Sequence, residues 1–198
     1  MEKPLTTTSQ AILGLLSLRS WSTYELAKQA QRSLDWFWPR AERKLYEEPK
    51  RLVAVGLARA EPEMTGARPR TVYSVTRQGR AALRRWLGEP PAPPTLEFEG
   101  MVKVFFADGG SLDQLRATLT SIAETAEQRL EDLGEKVEQN RSGEVAFPER
   151  LHLNGLGLRF HLDHERLIAE WARWALVETE GWTSTTDPGS WDHRSVYR

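Results

Sequence analysis

The sequence predicts a mainly α-helical chain of two dissimilar halves. Apolar residues recur every three or four positions, two strand-like runs stand between positions 57 and 75, and the proline-rich stretch EPPAPPT divides the chain near Pro90. Residues 1–90 carry 16 basic and 9 acidic side chains, a net charge of +7, whereas residues 91–198 carry 11 and 19, a net charge of −8. We therefore predict a basic domain over residues 1–90, an acidic helical domain over 91–180 and a mobile tail over 181–198.

Composition excludes several classes of protein. The chain has no cysteine, so it has no disulfide, no catalytic thiol and no thiolate-bound metal. No apolar run approaches the roughly 18 residues that a membrane-spanning helix needs, and the amino-terminal MEKPLTTTSQ lacks the apolar core of a signal peptide. We expect a soluble cytoplasmic protein without a membrane partner.

Three helices are predicted before the first strand-like run. Thr7 and Gln10 have the spacing of a capping box at the start of the first helix, and Ser22 and Glu25 have the same spacing at the start of the second. The third helix is predicted over residues 39–55 with proline at its first position, where proline loses no intrahelical hydrogen bond.

A hairpin and a fourth helix complete the first half. The runs LARAE and TVYSV enclose PEMTGARPR, which predicts two strands with a basic tip between them. Thr76 then caps the helical segment RQGRAALRRWL. Three helices, a hairpin and a helix within about 85 residues are the layout of a winged helix-turn-helix, whose third helix is expected to enter the major groove of DNA.

The second half is predicted to be a long-helix dimerisation domain. A connecting helix is expected over residues 95–106, a long amphipathic helix follows a capping box of Ser111 and Gln114, and a further helix carries an apolar stripe. Neither long helix has a sheet or bundle to cover it in its own chain, so each is expected to pack against another copy. The predicted dimer contacts are Leu153, Leu156, Phe160, Leu167, Trp171 and Trp174.

The candidate DNA-binding residues lie on the third helix and the hairpin. They are Arg40, Arg43, Lys44, Tyr46, Lys50, Arg51, Arg68, Arg70, Thr71 and Tyr73. Arginine can bind guanine through two hydrogen bonds, and lysine is suited to phosphate. Two alternatives stay open, namely a solvated helix face paired with neighbouring glutamates and an ordinary soluble hairpin loop. Tyr46 is either a buried aromatic or a hydroxyl donor to phosphate.

Pro49 lies inside the predicted third helix. An interior proline removes one helical hydrogen bond and its ring clashes with the carbonyl four residues earlier. We predict a kink near Leu45, after the residues at the amino-terminal end of the helix that are expected to read bases.

Three runs of the first half are similar to one known family. They are STYELAKQ, LDWFWPRAERKLYEEPKRLVAVGLA and GARPRTVYSVTRQGRAALRRWL. They resemble the PadR family of bacterial transcription regulators, in its larger subtype with a helical C-terminal domain; over the second half the resemblance rests on helix length and placement. It implies a homodimer that represses transcription at an inverted-repeat operator in double-stranded DNA and is released by a small-molecule effector. Pro49 departs from the family pattern, which usually has a helix-forming apolar residue there.

Tryptophan is abundant, with eight residues in the chain. Trp36, Trp38, Trp171 and Trp174 are candidates for stacking on a small hydrophobic or aromatic effector, and the alternative is packing in the core and at an interface.

The remaining motifs favour neither a metal nor an enzyme. His152, His161 and His164 lack the further ligands of a metal site and are predicted to be interface residues. The sequence has no phosphate-binding glycine loop, no Gly-x-Ser-x-Gly and no His-Glu-x-x-His, so neither catalysis nor a cofactor is predicted. We predict a dimeric DNA-binding transcriptional regulator, a repressor relieved by an effector. The alternative is a winged-helix protein-interaction adaptor without sequence-specific DNA binding.

Overall fold

The computed structural model describes residues 4–38, 42–65, 68–142 and 147–197. The chain divides into two compact units, Met1–Pro93 and Pro94–Arg198, and the division falls in the proline-rich stretch. None of the helices in the described ranges combines the length and the apolar character needed to cross a membrane.

The first unit has the predicted winged helix-turn-helix layout. Its described elements are α1 (Thr7–Leu18), β1 (Trp21–Ser22), α2 (Thr23–Leu34), α3 (Glu42–Ala54), β2 (Ala58–Thr65), β3 (Arg68–Val75) and α4 (Arg77–Leu87). The sheet is antiparallel, with strand order β1-β3-β2. Helices α2 and α3 are the helix-turn-helix pair, and the β2–β3 hairpin is the wing.

Two of the predicted caps of this unit are confirmed. At the start of α2, the Ser22 and Glu25 side chains each accept a hydrogen bond from the other residue's backbone N–H. At the start of α4, the Thr76 hydroxyl accepts from the Gly79 N–H. Both helices therefore begin where local hydrogen bonding predicts.

Three predictions in this unit are wrong in detail. The cap of α1 is Thr6 rather than Thr7, because the Thr6 and Ser9 side chains each accept a hydrogen bond from the other residue's backbone N–H. The wing strands are longer than the runs LARAE and TVYSV, because cross-strand pairing continues as far as Thr65 opposite Arg68. Strand β1 is missed, because its two residues are a strand only through pairing with β3.

The core of the first unit lies where α1 meets the other helices and the sheet. Ile12, Leu13 and Leu16 of α1 are fully buried, together with Leu26 of α2 and Leu52 of α3. Because α3 packs through one face on α1, α2 and β2, its other face is left on the surface.

The second unit is built mainly on three described helices, which are α5 (Glu99–Phe105), α6 (Leu112–Ser142) and α7 (Leu151–Glu178). Helices α6 and α7 form an antiparallel hairpin. Near the start of α6, Arg116 donates to the carbonyl of Thr179 after α7, and farther along α6, Arg129 lies 3.5 Å from Glu165.

The start of α6 is confirmed and that of the connecting helix is corrected. Ser111 and Gln114 form the predicted capping box. The connecting helix α5 begins at Glu99 instead of residue 95, because the backbone is still extended at Phe98.

Helix α6 does not need a second copy to cover its apolar stripe, contrary to the prediction. Leu115, Leu119 and Leu133 are buried, and Ile122 packs with Ala172 of α7. Periodicity identifies an apolar stripe but not its partner, and here the partner follows in the same chain. The stripe of α7 remains largely exposed.

The segment after α7 consists of turns and a short 3-10 helix, His193–Tyr197. The rings of Trp182 and Trp191 are 5.4 Å apart, and the Trp191 indole N–H donates to Glu178 of α7. The predicted mobility of residues 181–198 stays a prediction.

Candidate nucleic-acid interface

Helix α3 continues through Pro49, whose ring is fully buried. The proline therefore does not end the helix, and the kink near Leu45 stays a prediction. Because its side chain is buried, Pro49 is not part of the surface that α3 presents to solvent.

Lys44 and Lys50 of α3 are exposed to solvent. Arg40 lies outside the described residues, as does the side chain of Arg43. Tyr46 is half-buried, a position compatible with either of its predicted roles. On the described part of α3, Lys44 and Lys50 are thus the exposed cations that can meet a nucleic acid.

Arg51 has a different setting from these lysines. Its guanidinium donates to the Glu48 carboxylate at 2.9 Å, to the Ser9 hydroxyl at 3.1 Å and to the Pro4 carbonyl at 2.9 Å. The Ser9 hydroxyl also donates to Glu48 at 2.5 Å. This partly buried network joins α3 to α1, so Arg51 has a structural role that the sequence did not indicate.

The other predicted wing residues are also divided between surface and interior. Thr71 is exposed, whereas Tyr73 is only 4% exposed and packs in the sheet opposite Trp21 and Ala60. The side chain of Arg68 lies outside the described residues. Because Tyr73 is buried, it is not part of the surface that the wing presents to solvent.

Arg70 is engaged by two carboxylates. Its Nε donates to Glu63 Oε2 at 2.7 Å and its Nη2 lies 2.6 Å from the same oxygen, while its Nη1 lies 3.7 Å from Glu25 Oε2. The pKa of Glu25 is lowered, first by hydrogen bonding from the Ser22 side chain and backbone and then by the charges of Arg70 and Arg19. Sequence reasoning missed both carboxylates as partners; the capping box marks Glu25, but nothing local places it near Arg70.

The tryptophans proposed for effector binding belong to both units. Trp36 and Trp38 are in the first unit, where Trp38 lines a cavity of about 10 Å³ between α1 and α2, room for no more than one water molecule. In the second unit, Trp171 packs against the core of α6 and α7, and Trp174 is 41% exposed. Of these four side chains, Trp174 is the most available to a ligand.

A larger cleft lies beside α5. It has a volume of about 440 Å³ and is lined by apolar side chains, Leu96, Phe98, Met101, Val102, Val104, Phe105 and Phe106. None of the four proposed tryptophans lines it.

The apolar stripe of α7 is open to solvent along most of its length. Leu153, Leu156, Phe160 and Leu167 are each about half or more exposed. The Phe160 and His164 rings are stacked, with centroids 6.3 Å apart. Of the six predicted dimer contacts, only Trp171 is substantially covered within the unit.

On the other side of α7, His161 lies between the two long helices. Its Nε2 is 3.4 Å from the buried carboxylate of Glu165, with Arg129 of α6 and His164 nearby. Burial lowers the pKa of His161 more than Glu165 raises it. No cluster of three or more metal-ligating side chains occurs in the part of the chain that the structure describes.

Family models match both units of the chain. The model of the transcriptional regulator PadR-like family matches residues 12–85, and the model named virulence activator alpha C-term matches residues 99–180. The chain belongs to the PadR family of transcriptional regulators. This family consists of regulators rather than enzymes, in agreement with the sequence-based prediction.

Individual relatives of this PadR-family chain agree with the assignment. The chain is 34% identical over 84 residues to the probable transcriptional regulator Rv1176c of Mycobacterium tuberculosis, covering 42% of this chain and 44% of that protein. It is 31% identical over 98 residues to the negative transcriptional regulator PadR of Bacillus subtilis, covering 48% and 54%. The matches thus span about half the length of these curated relatives.

Solved structures of Bacillus subtilis PadR have the same fold. The complex with operator DNA has a TM-score of 0.75 and 25% identity, covering 87% of this chain and 98% of that one. The complex with p-coumaric acid has a TM-score of 0.68 and 24% identity, covering 89% and 97%.

Proposed function

We propose that this PadR-family regulator represses transcription as a homodimer bound to an inverted-repeat operator. The observation that carries the proposal is a winged helix-turn-helix unit with a net charge of +7, in which α3 presents Lys44 and Lys50 to solvent. The operator complex of Bacillus subtilis PadR, which is named a negative regulator, supports it. Arg40 and Arg43 are the proposed base-reading residues, with Arg68 and Thr71 contacting DNA from the wing.

The stripe of α7 is the proposed dimer contact. Monomeric proteins rarely leave a row of large apolar side chains in water, and Leu153, Leu156, Phe160 and Leu167 form such a row. Pairing with the same row of a second copy buries both rows at once, as expected for a twofold dimer.

A small aromatic molecule is the proposed effector. The p-coumaric acid complex of Bacillus subtilis PadR supports this class of ligand, and the exposed ring of Trp174 supplies a surface for stacking. Titration of the protein–DNA complex with p-coumaric acid tests the class. Release of DNA together with quenching of tryptophan fluorescence supports it, and no change in either signal contradicts it.

The DNA-binding proposal is tested by shift assays with genomic fragments at several salt concentrations. We expect preferred fragments whose affinity falls steeply with salt, because phosphate contacts release counterions. Lys44→Gln and Lys50→Gln should each flatten the dependence of log affinity on log salt by about 0.9 for every phosphate that the lysine neutralises in the wild-type complex. Lys136→Gln, which removes an exposed lysine from α6, is the control and should change nothing. No preference for any fragment over bulk DNA would contradict the proposal.

One observation favours the alternative of a protein-interaction adaptor. Arg51 and Arg70 are both paired with carboxylates, which reduces the free positive charge on α3 and the wing. If the adaptor role is correct, neutral substitution of Lys44 and Lys50 leaves regulation of the target genes intact.

A further inference from the structure

We propose that Arg70 positions the wing against α2 and is not itself a DNA contact. This inference rests on the proposed DNA-binding function and revises the role that the sequence predicts for Arg70.

The contacts of Arg70 connect three elements. Glu63 of β2 lies directly opposite Arg70 in the β2–β3 register, and its Oε2 binds Nε and Nη2 of the guanidinium at 2.7 and 2.6 Å. The third nitrogen, Nη1, lies 3.7 Å from the carboxylate of Glu25 on α2. One side chain therefore joins both strands of the wing to the first turn of the helix-turn-helix.

The partner on α2 is itself held in place. Strand β1 pairs Ser22 with Val72 of β3, and α2 begins at the next residue. The Glu25 carboxylate accepts the Ser22 N–H at 2.9 Å within the capping box. Arg70 is thus anchored to a fixed carboxylate, and the sheet and the cap bring the two groups together.

The charges at this point disfavour phosphate. Two carboxylates face the Arg70 guanidinium, and Arg70 would have to leave Glu63 before binding a phosphate oxygen. A wing that is already held beside α2 loses less conformational freedom when α3 and the wing bind DNA together.

The test is a double-mutant cycle of Arg70→Gln and Glu25→Gln. Glutamine at position 25 keeps the capping box, since glutamine also serves at this position of the box, and removes only the charge. The DNA probe is the duplex that the wild-type protein selects from a random-sequence pool. If Arg70 positions the wing, each single variant weakens binding about two- to fivefold, as expected for a partly exposed ion pair. The double variant is then no weaker than the weaker single variant, and the salt dependence is unchanged in all three.

A phosphate contact predicts the opposite pattern. Arg70→Gln would flatten the dependence of log affinity on log salt by about 0.9, and Glu25→Gln would strengthen binding by removing a nearby negative charge. Either result overturns the positioning role.

Amide hydrogen exchange tests the same role without DNA. In both single variants the backbone amides of β2 and β3 should exchange faster than in the wild-type protein. Glu61→Gln, which removes an exposed carboxylate from β2, should leave their exchange unchanged. Unchanged exchange in the single variants overturns the proposal whatever happens with DNA. If the wild-type protein selects no duplex, the proposed function fails, and hydrogen exchange alone decides the role of Arg70.

Discussion

Replacing Leu156 by alanine should weaken the proposed dimer strongly. Leu156 is 72% exposed in the isolated chain and lies on the α7 stripe between Leu153 and Phe160. Full burial of a leucine side chain is worth about 1.5–3 kcal/mol, so covering the exposed part contributes about 1.5 kcal/mol in each copy. A twofold dimer contains the contact twice, which gives a loss of about 3 kcal/mol, or roughly a 100-fold higher dissociation constant.

The assay is sedimentation equilibrium over a dilution series. Leu87→Ala is the matched control, because Leu87 is 68% exposed and belongs to α4 of the first unit rather than to the α7 stripe; it should leave dimerisation unchanged. An independent check uses the absence of cysteine from the chain. If the two α7 helices of the dimer are antiparallel, the residues at the midpoint of the stripe lie opposite each other, and His164 is near that midpoint. His164→Cys should therefore form a disulfide-linked dimer, whereas Lys136→Cys on α6 should not. The prediction is refuted if the wild-type protein is monomeric at all concentrations, or if Leu156→Ala leaves the dissociation constant of the dimer unchanged.

Three further predictions concern stability. Leu119 is 1% exposed in α6, so Leu119→Ala should lower the free energy of unfolding of the second unit by about 2–5 kcal/mol in urea titrations; a decrease under about 1 kcal/mol would mean that this position is not closely packed. Glu48→Ala removes the carboxylate that Arg51 contacts at 2.9 Å and should cost the first unit about 1.5–3 kcal/mol, whereas the exposed Glu89→Ala should cost under about 0.5 kcal/mol in the same titration. The pKa of His161 is lowered from 6.5 by burial, so the unfolded chain takes up the proton first, and stability falls as the pH drops below about 6.5. Urea titrations from pH 7.5 to 5 should show a smaller fall for His161→Gln, and an identical fall in both proteins would contradict the burial argument.

Much of the architecture is predictable from the sequence because it depends on residues close together in the chain. The capping boxes at Ser22 and Ser111 and the cap at Thr76 join residues three apart, and the structure contains all three. The lengths of the helices follow from apolar periodicity, and the division of charge between residues 1–90 and 91–198 follows from composition alone. These features identify a winged helix-turn-helix followed by long helices before any tertiary contact is known.

Other properties depend on contacts between residues far apart in the chain, which no local pattern specifies. Arg51 and Arg70 look like DNA-binding cations in the sequence, yet Ser9 and Glu25, 42 and 45 positions earlier, help to determine their setting. The stripes of α6 and α7 look equivalent, but the packing of the two helices on each other buries the first and leaves the second largely exposed. Which residues carry charge and which helix faces are apolar can be read from the order of the amino acids alone. Which of those charges are already paired, and which of those faces remain uncovered, follows only from the folded chain, because pairing and covering depend on how distant segments pack together.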